Sequence, residues 1–357
     1  MSAMTPIYRD FLNILRSGNP SRIRNIIGRG QVNANSVFIL DGDITVTPMS
    51  VCAQQGQVDA IKALATLGAS VNTPDNNGLT PVLIATQYGH VGAIKALATL
   101  GASVNTPFND GCTPVLIAAL YGHVDAIKAL AALGASVNTS DNKVRTPVFV
   151  AAQQGHVDSI KALAAVGASV NTPANNGVTP VHVAAQHGHV DAIKALAALG
   201  ALVNTPANDG FTPVCVAAQH GHVDAIKALA ALGASVNTPA NDGFTPVCVA
   251  AHGGHVDAIK ALAALGASVN TPANDGCTPV LIAALYGHVD AIKALAALGA
   301  SVNTPANDGA TPVLIAAQQG HVGAIKALAA LGASVNTPAN IGFTPVHVAA
   351  QNGHVDA

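Results

Sequence analysis

The chain of 357 residues contains no tryptophan and only 3% aromatic residues, and just 10% of it is charged. Its acidic residues are all aspartate. Sixteen lysines and arginines face eighteen aspartates for a formal net charge of −2, so bulk charge excludes a strongly basic nucleic-acid binder. Five cysteines, an odd number thinly spread, make no disulfide framework and point to a reducing compartment inside a cell. No apolar run reaches the ~18 residues that a membrane span needs. Arg9, Arg16, Arg22, Arg24 and Arg29 break up the first segment, which therefore lacks the apolar centre of a secretory signal. Hydrophobic residues are plentiful at 50%, too many for a largely disordered chain.

That composition comes from a repeat. Thr-Pro returns at Thr47-Pro48, Thr80-Pro81, Thr113-Pro114, Thr146-Pro147, Thr179-Pro180, Thr212-Pro213, Thr245-Pro246, Thr278-Pro279, Thr311-Pro312 and Thr344-Pro345, always 33 residues apart. A fixed period of this length means an array of one small structural unit, whatever domain count the length suggests. The residues of one copy show what the unit is. Thr212 is suited to cap a helix, and Pro213 fits its first position, where no N–H is missed. Val214, Val216, Ala217 and Ala218 make a short apolar helix, and Gly221 ends it in the left-handed region. Asp224 opens a second helix at the positive end of its dipole. Ile226 and Leu229 share a face there, Lys227 points away, and Gly233 closes it. Asn237 to Gly243 then forms a projecting turn, the finger, whose Asp-Gly suits a tight reversal. One unit cannot bury its own apolar face, so the copies must stack.

Stretches such as Gly210-Phe211-Thr212-Pro213-Val214, Ala217-Ala218-Gln219-His220-Gly221-His222 and Leu232-Gly233-Ala234-Ser235-Val236-Asn237 resemble the ankyrin repeat family. The resemblance covers residues 41–357 in ten registered copies. It implies an all-α repeat solenoid: a curved stack of helix-turn-helix units with projecting β-turn fingers, binding proteins through the fingers and the inner helix face. Some positions depart from the family pattern. The histidine after Thr-Pro-Leu survives only as His182 and His347, and the aspartate opening the finger persists as Asp75 and Asp141 but is alanine in later copies.

The two ends differ from the middle. Residues 1–40 carry a net +4 against −6 for the rest, and Tyr8, Phe11, Leu12, Ile14 and Leu15, then Ile23, Ile26 and Ile27, read as a helical pair capping the array. Asp41-Gly42 between apolar runs reads as a hairpin, an elongated first finger. The chain stops at Asp356-Ala357, where the second helix of the tenth unit is due, so a fragment of a longer protein is expected.

Chemistry finds little footing in this pattern. Nine of the fourteen histidines recur once per unit as Gly-His. Stacked units bring equivalent atoms only to about 10 Å, whereas two zinc ligands must approach within about 4 Å of each other. These histidines read as turn caps, with no metal site and no cofactor. No cysteine has a histidine and an orienting group converging on it, so no catalytic residue is assigned and no enzymatic activity is expected. The lysine column pairs with aspartates three residues earlier, as in Asp224 and Lys227, and reads as a neutralised outer face without nucleic-acid affinity.

The units disagree at the residue before Thr-Pro and at the pair before Gly-His, positions that line the inner surface of ankyrin-like stacks. Aromatic residues collect there, as interface anchors do. The first expected contact patch is Tyr88, Tyr121 and Gln154 with Lys143 and Arg145. Those two cations lie on a finger where Val144 replaces the turn glycine, so a different finger shape is expected. The second patch is His187, Phe211, His220 and Phe244, and Tyr286 belongs to the same surface. The expected function is a non-catalytic, cytoplasmic, monomeric scaffold that binds a partner protein on its concave face and neither nucleic acid nor membrane. Two alternatives stand: a targeting module of a larger enzyme or membrane protein truncated at residue 357, or a microbial effector delivered into a host cell to act on host proteins.

Overall fold

The computed structural model describes residues 6–39 and 45–357. Two compact units divide the chain, Met1–Asn175 and Asn176–Ala357. Among the described residues there are 21 helices and one two-stranded ladder.

Each of the first nine repeats contributes a seven-residue helix and a nine-residue helix, and the tenth a seven-residue helix. In the first unit the short helices are Pro48–Gln54, Pro81–Gln87, Pro114–Leu120 and Pro147–Gln153. Their partners are Val58–Thr66, Val91–Thr99, Val124–Ala132 and Val157–Ala165. In the second unit the short helices run from Pro180–Gln186 to Pro345–Gln351, and the long ones from Val190–Ala198 to Val322–Ala330. The threonine before each proline adopts extended backbone, and in eight of the ten copies its hydroxyl accepts the N–H three residues on, as Thr80 does from Leu83 at 3.3 Å. Thr179 and Thr344 are capped in return by the ring nitrogens of His182 and His347. Within each unit short helices pack on short ones and long on long. The inward face of a long helix is alanine, isoleucine and leucine, as in buried Ala126, Ile127, Ala129 and Leu130, and Ile325 of the last long helix is only half-buried. Small side chains let adjacent helices approach closely, which is why so alanine-rich a sequence can still close its core.

Three hydrogen-bond ladders repeat along each unit. The Gly-His ring donates from Nε2 to a carbonyl at the end of the preceding short helix: His90 to Gln54 at 3.0 Å, His123 to Gln87 at 2.9 Å, His222 to Gln186 at 3.0 Å. These carbonyls have no partner inside their own helix, so the ring satisfies them. A second ladder uses the asparagine after each long helix: Asn105 donates to Gly134 O at 3.3 Å and accepts from Ser136 N at 2.8 Å. The third joins the fingers, where Asn241 donates its backbone N–H to Asp209 O at 3.0 Å and its amide to Asn208 O at 2.9 Å. The glycines are part of this fit. Gly89 has φ 71°, and a Cβ there would meet His123 Nδ1 at 2.9 Å.

At the start of the first unit, α1 (Pro6–Ser17) and α2 (Pro20–Gly28) bury Phe11, Leu12, Leu15, Ile23 and Ile26. They pack on Pro48–Gln54 and Val58–Thr66 respectively. Strands β1 (Phe38–Ile39) and β2 (Thr45–Val46) pair antiparallel, Phe38 opposite Val46. Phe38 also meets the rings of Tyr8 and Phe11 at 5.8 and 5.7 Å. The turn expected between these strands, residues 40–44, lies outside the described residues. Among the described residues no helix is long and apolar enough to cross a membrane.

The lysine column is more loosely paired than its spacing suggests. Lys161–Asp158, Lys194–Asp191 and Lys293–Asp290 come only to 3.9–4.0 Å with both side chains well exposed. Such contacts add little stability.

Candidate partner-binding face

Tyr88, Tyr121 and Gln154 are the residues immediately after three consecutive short helices of the first unit. Each ends its helix with φ near −90°, a position that points outward because the next residue is the left-handed glycine that reverses the chain. Tyr88 and Tyr121 are 48% and 47% exposed. Their orientation is nonetheless held. Tyr88 lies parallel to the ring of His90, centroids 6.2 Å apart at 12°, and Tyr121 lies on His123 at 6.1 Å and 21°. Each phenol oxygen accepts a hydrogen bond from the glutamine one repeat back, Gln54 to Tyr88 at 3.0 Å and Gln87 to Tyr121 at 3.4 Å. Because those histidines are themselves tied to carbonyls of the preceding repeat, the rings rest on a fixed support.

The finger bearing Lys143 and Arg145 sits at the other end of the Pro147–Gln153 helix from Gln154. Seven residues of helix separate them, about 10 Å. The structure therefore places the finger cations and the tyrosine row at opposite edges of one helical layer. Lys143 is exposed, but Arg145 is committed: its Nε donates to Asp141 Oδ2 at 2.7 Å, and a terminal nitrogen reaches the same oxygen at 2.6 Å.

The altered finger shape expected from Val144 does not occur. Val144 takes φ 60°, the conformation that Gly111 and Gly210 take in their fingers. Its N–H donates to Asp141 O at 2.9 Å as the N–H of Gly111 does to Phe108 O. The buried Asp141 carboxylate also accepts the N–H groups of Lys143 and Arg145, each at 2.9 Å. These bonds over-determine the turn and hold a β-branched residue where it is strained.

In the second unit, His187, His220 and Tyr286 occupy the same helix-end position and are exposed. His187 stacks on His189 at 5.9 Å, His220 on His222 at 6.1 Å, and Tyr286 meets His252 edge-on at 4.3 Å. Partial burial, then the neighbouring imidazoles, push His187 and His220 below the ordinary histidine value. Phe211 and Phe244 are less available than expected. Both are half-buried, because the finger closes on them: their carbonyls accept from Ala207 N and Ala240 N at 2.9 Å.

Phe108 escapes the comparison of variable columns, yet it packs beside Ile117 and Leu120 against Cys112, Leu116 and Val150, on the layer that carries Tyr121. It stands where other fingers have aspartate or alanine, and reading that column would have found it.

The remaining chemistry-bearing groups are quiet. His182 is buried, donates to Phe211 O at 2.9 Å and is held neutral by burial. Burial pushes the Cys52 thiol up to about 12, and burial with a nearby aspartate does the same at Cys112 and Cys277. Thiols so shifted carry almost no thiolate at neutral pH. Among the described residues no three histidine, cysteine or aspartate side chains come together in a way that could hold a metal.

A family model described as ankyrin repeats, three copies, matches residues 14–108, 101–174, 149–240, 233–306 and 302–357. Among solved structures the human ASB11 ankyrin repeat domain is similar, with 32% identity and a TM-score of 0.54, over 59% of this chain and 95% of that one. No curated protein matches the chain.

Proposed function

The chain belongs to the ankyrin repeat family, whose arrays are in general protein-interaction modules, and from that premise we propose that it is a non-catalytic scaffold. Its partner protein docks on the face made by the short helices and fingers. The observation that carries this reading is the pair of Tyr88 and Tyr121: half-exposed aromatic rings, each fixed by a histidine stack and a glutamine bond. Large rings already ordered in the free protein lose little entropy on binding, and such residues serve as interface anchors. Lys143 and the Phe108 side of the layer flank them. His187, His220 and Tyr286, with half-buried Phe211 and Phe244, form the equivalent surface of the second unit. Residues 1–40 act as the cap of the array, because α1 and α2 cover the Pro48–Gln54 and Val58–Thr66 helices. Five free thiols, four of them buried, suit a reducing compartment.

Site-specific photocrosslinking in cells tests the face. A photoreactive residue at position 121 is expected to capture one protein repeatedly, and the same residue in place of Lys128 on the exposed side of a long helix is not. Capture from position 128 alone, or equally from both, would reject the assignment.

A further inference from the structure

Resting on that reading, we propose that Tyr88 and Tyr121 receive a polyproline II segment with proline at every third position. The argument begins with spacing. The two tyrosines are equivalent residues of adjacent repeats whose short helices pack together, so they repeat at the helix packing distance, roughly 8–10 Å. A polyproline II helix rises about 9 Å per turn of three residues, and residues i and i+3 lie on the same side of it. One proline per turn therefore meets one tyrosine per repeat.

Other extended or helical ligands fit this pair less well. In a β-strand, residues sharing a face are an even number apart, so they recur at about 7 or 13 Å and miss the repeat. An α-helix can match the distance at i and i+7, about 10.5 Å, but its carbonyls are consumed by its own hydrogen bonds. The face offers donors that such a ligand would leave idle. Gln54 and Gln87 donate their amides to the phenol oxygens, so each tyrosine keeps its own O–H to give. Polyproline II backbone has no internal hydrogen bonds, and its carbonyls are open to those donors. The rings add the other requirement, an aromatic surface on which the proline ring can lie. Each tyrosine remains about half exposed while its ring is held in a fixed orientation on His90 or His123. Ligand and surface are both ordered before they meet.

The second unit lacks this pairing, since the equivalent column reads His187, His220, Gly253 and Tyr286, with no two tyrosines in succession.

Fluorescence anisotropy with the full chain tests the proposal. The probe is a labelled peptide of about four polyproline turns, with proline at every third position and alanine or serine between. Saturable binding is expected, weakened about tenfold by Tyr88→Ala or Tyr121→Ala and by moving the prolines to every fourth position. Tyr121→Phe keeps the ring but loses the donor, so it should fall between wild type and Tyr121→Ala. Circular dichroism of each variant should match wild type, because both side chains lie at the surface. No binding, or binding indifferent to proline spacing or to both tyrosines, overturns the proposal. A helical peptide that competes at these tyrosines when the proline peptide does not would overturn it too. Crosslinking at position 121 reads the docking face separately: capture there with no proline-peptide binding removes only the ligand class, and loss of that capture removes the face.

Discussion

The unit Asn176–Ala357 repeats itself almost residue for residue, whereas Met1–Asn175 carries several local violations of good protein chemistry. The buried hydroxyl of Thr86 has no hydrogen-bond partner, and neither does that of Ser159. Both replace an alanine found in most other copies. Val144 is the one non-glycine residue with positive φ among the described residues, and it too lies in the first unit. So do the two successive tyrosines and Phe108. In an array whose stability is roughly a sum over repeats and their interfaces, a poor local choice costs its own repeat without unfolding the rest. The regular unit shows what the repeat looks like when packing alone decides. The irregular one departs from that pattern at buried, strained and exposed positions alike, and the tyrosines proposed to bind are among its exposed departures.

Substitutions can separate the two units energetically. The largest effect is expected from Asp141→Ala, which strips the Arg145 guanidinium and two backbone N–H groups of their acceptor while Val144 remains strained. A loss of about 3 kcal/mol is expected, confined to the first unit and read by hydrogen exchange of amides around the 140–153 segment. Uniform loss of protection in both units would show that the comparison is wrong. Thr86→Ala and Ser159→Ala should act oppositely, each stabilising the first unit by about 1 kcal/mol through removal of an orphaned hydroxyl. Urea unfolding of the single and double variants checks this, and unchanged midpoints would mean that the hydroxyls are solvated.

The smallest effect concerns acid. His182, in the second unit, is held below the usual histidine value by burial. Above pH about 6.5 its ring is neutral folded or unfolded and contributes no pH dependence. As pH falls below that, the unfolded chain takes the proton first, so stability declines until the folded ring also titrates. Replacing His182 with leucine, the residue at Leu83 and Leu116, should flatten this part of the pH profile measured by thermal unfolding. An unchanged slope would show that His182 does not set the acid response.

The repeat boundaries, the threonine caps, the left-handed glycines and the split between buried isoleucine and exposed lysine were legible in the sequence. Each depends on contacts within three or four residues or on a strict period. The tyrosines stood out as well, as aromatic side chains in a column that elsewhere holds glutamine, histidine, glycine and asparagine. The behaviour of the Asp141–Arg145 finger was not. A valine in place of glycine argues for a new turn, and only the converging bonds from Lys143, Val144 and Arg145 to Asp141 explain why the old one persists. Phe211 and Phe244 were read as exposed because they vary, but variation marks weak packing demands, which half-burial also satisfies.

By itself, then, the sequence determined an array of helical pairs and the helix-end and finger positions at which the copies differ, since a 33-residue period with caps and turns at fixed offsets admits one local geometry. Tertiary structure alone decided which of those side chains are available. The bonds that hold Tyr88 to Gln54 and Tyr121 to Gln87 join residues 34 apart, and Phe108 packs on a cluster that includes Val150 from the next repeat. Such pairings arise from which atoms meet once the repeats have packed, and no pattern read along one chain segment contains them.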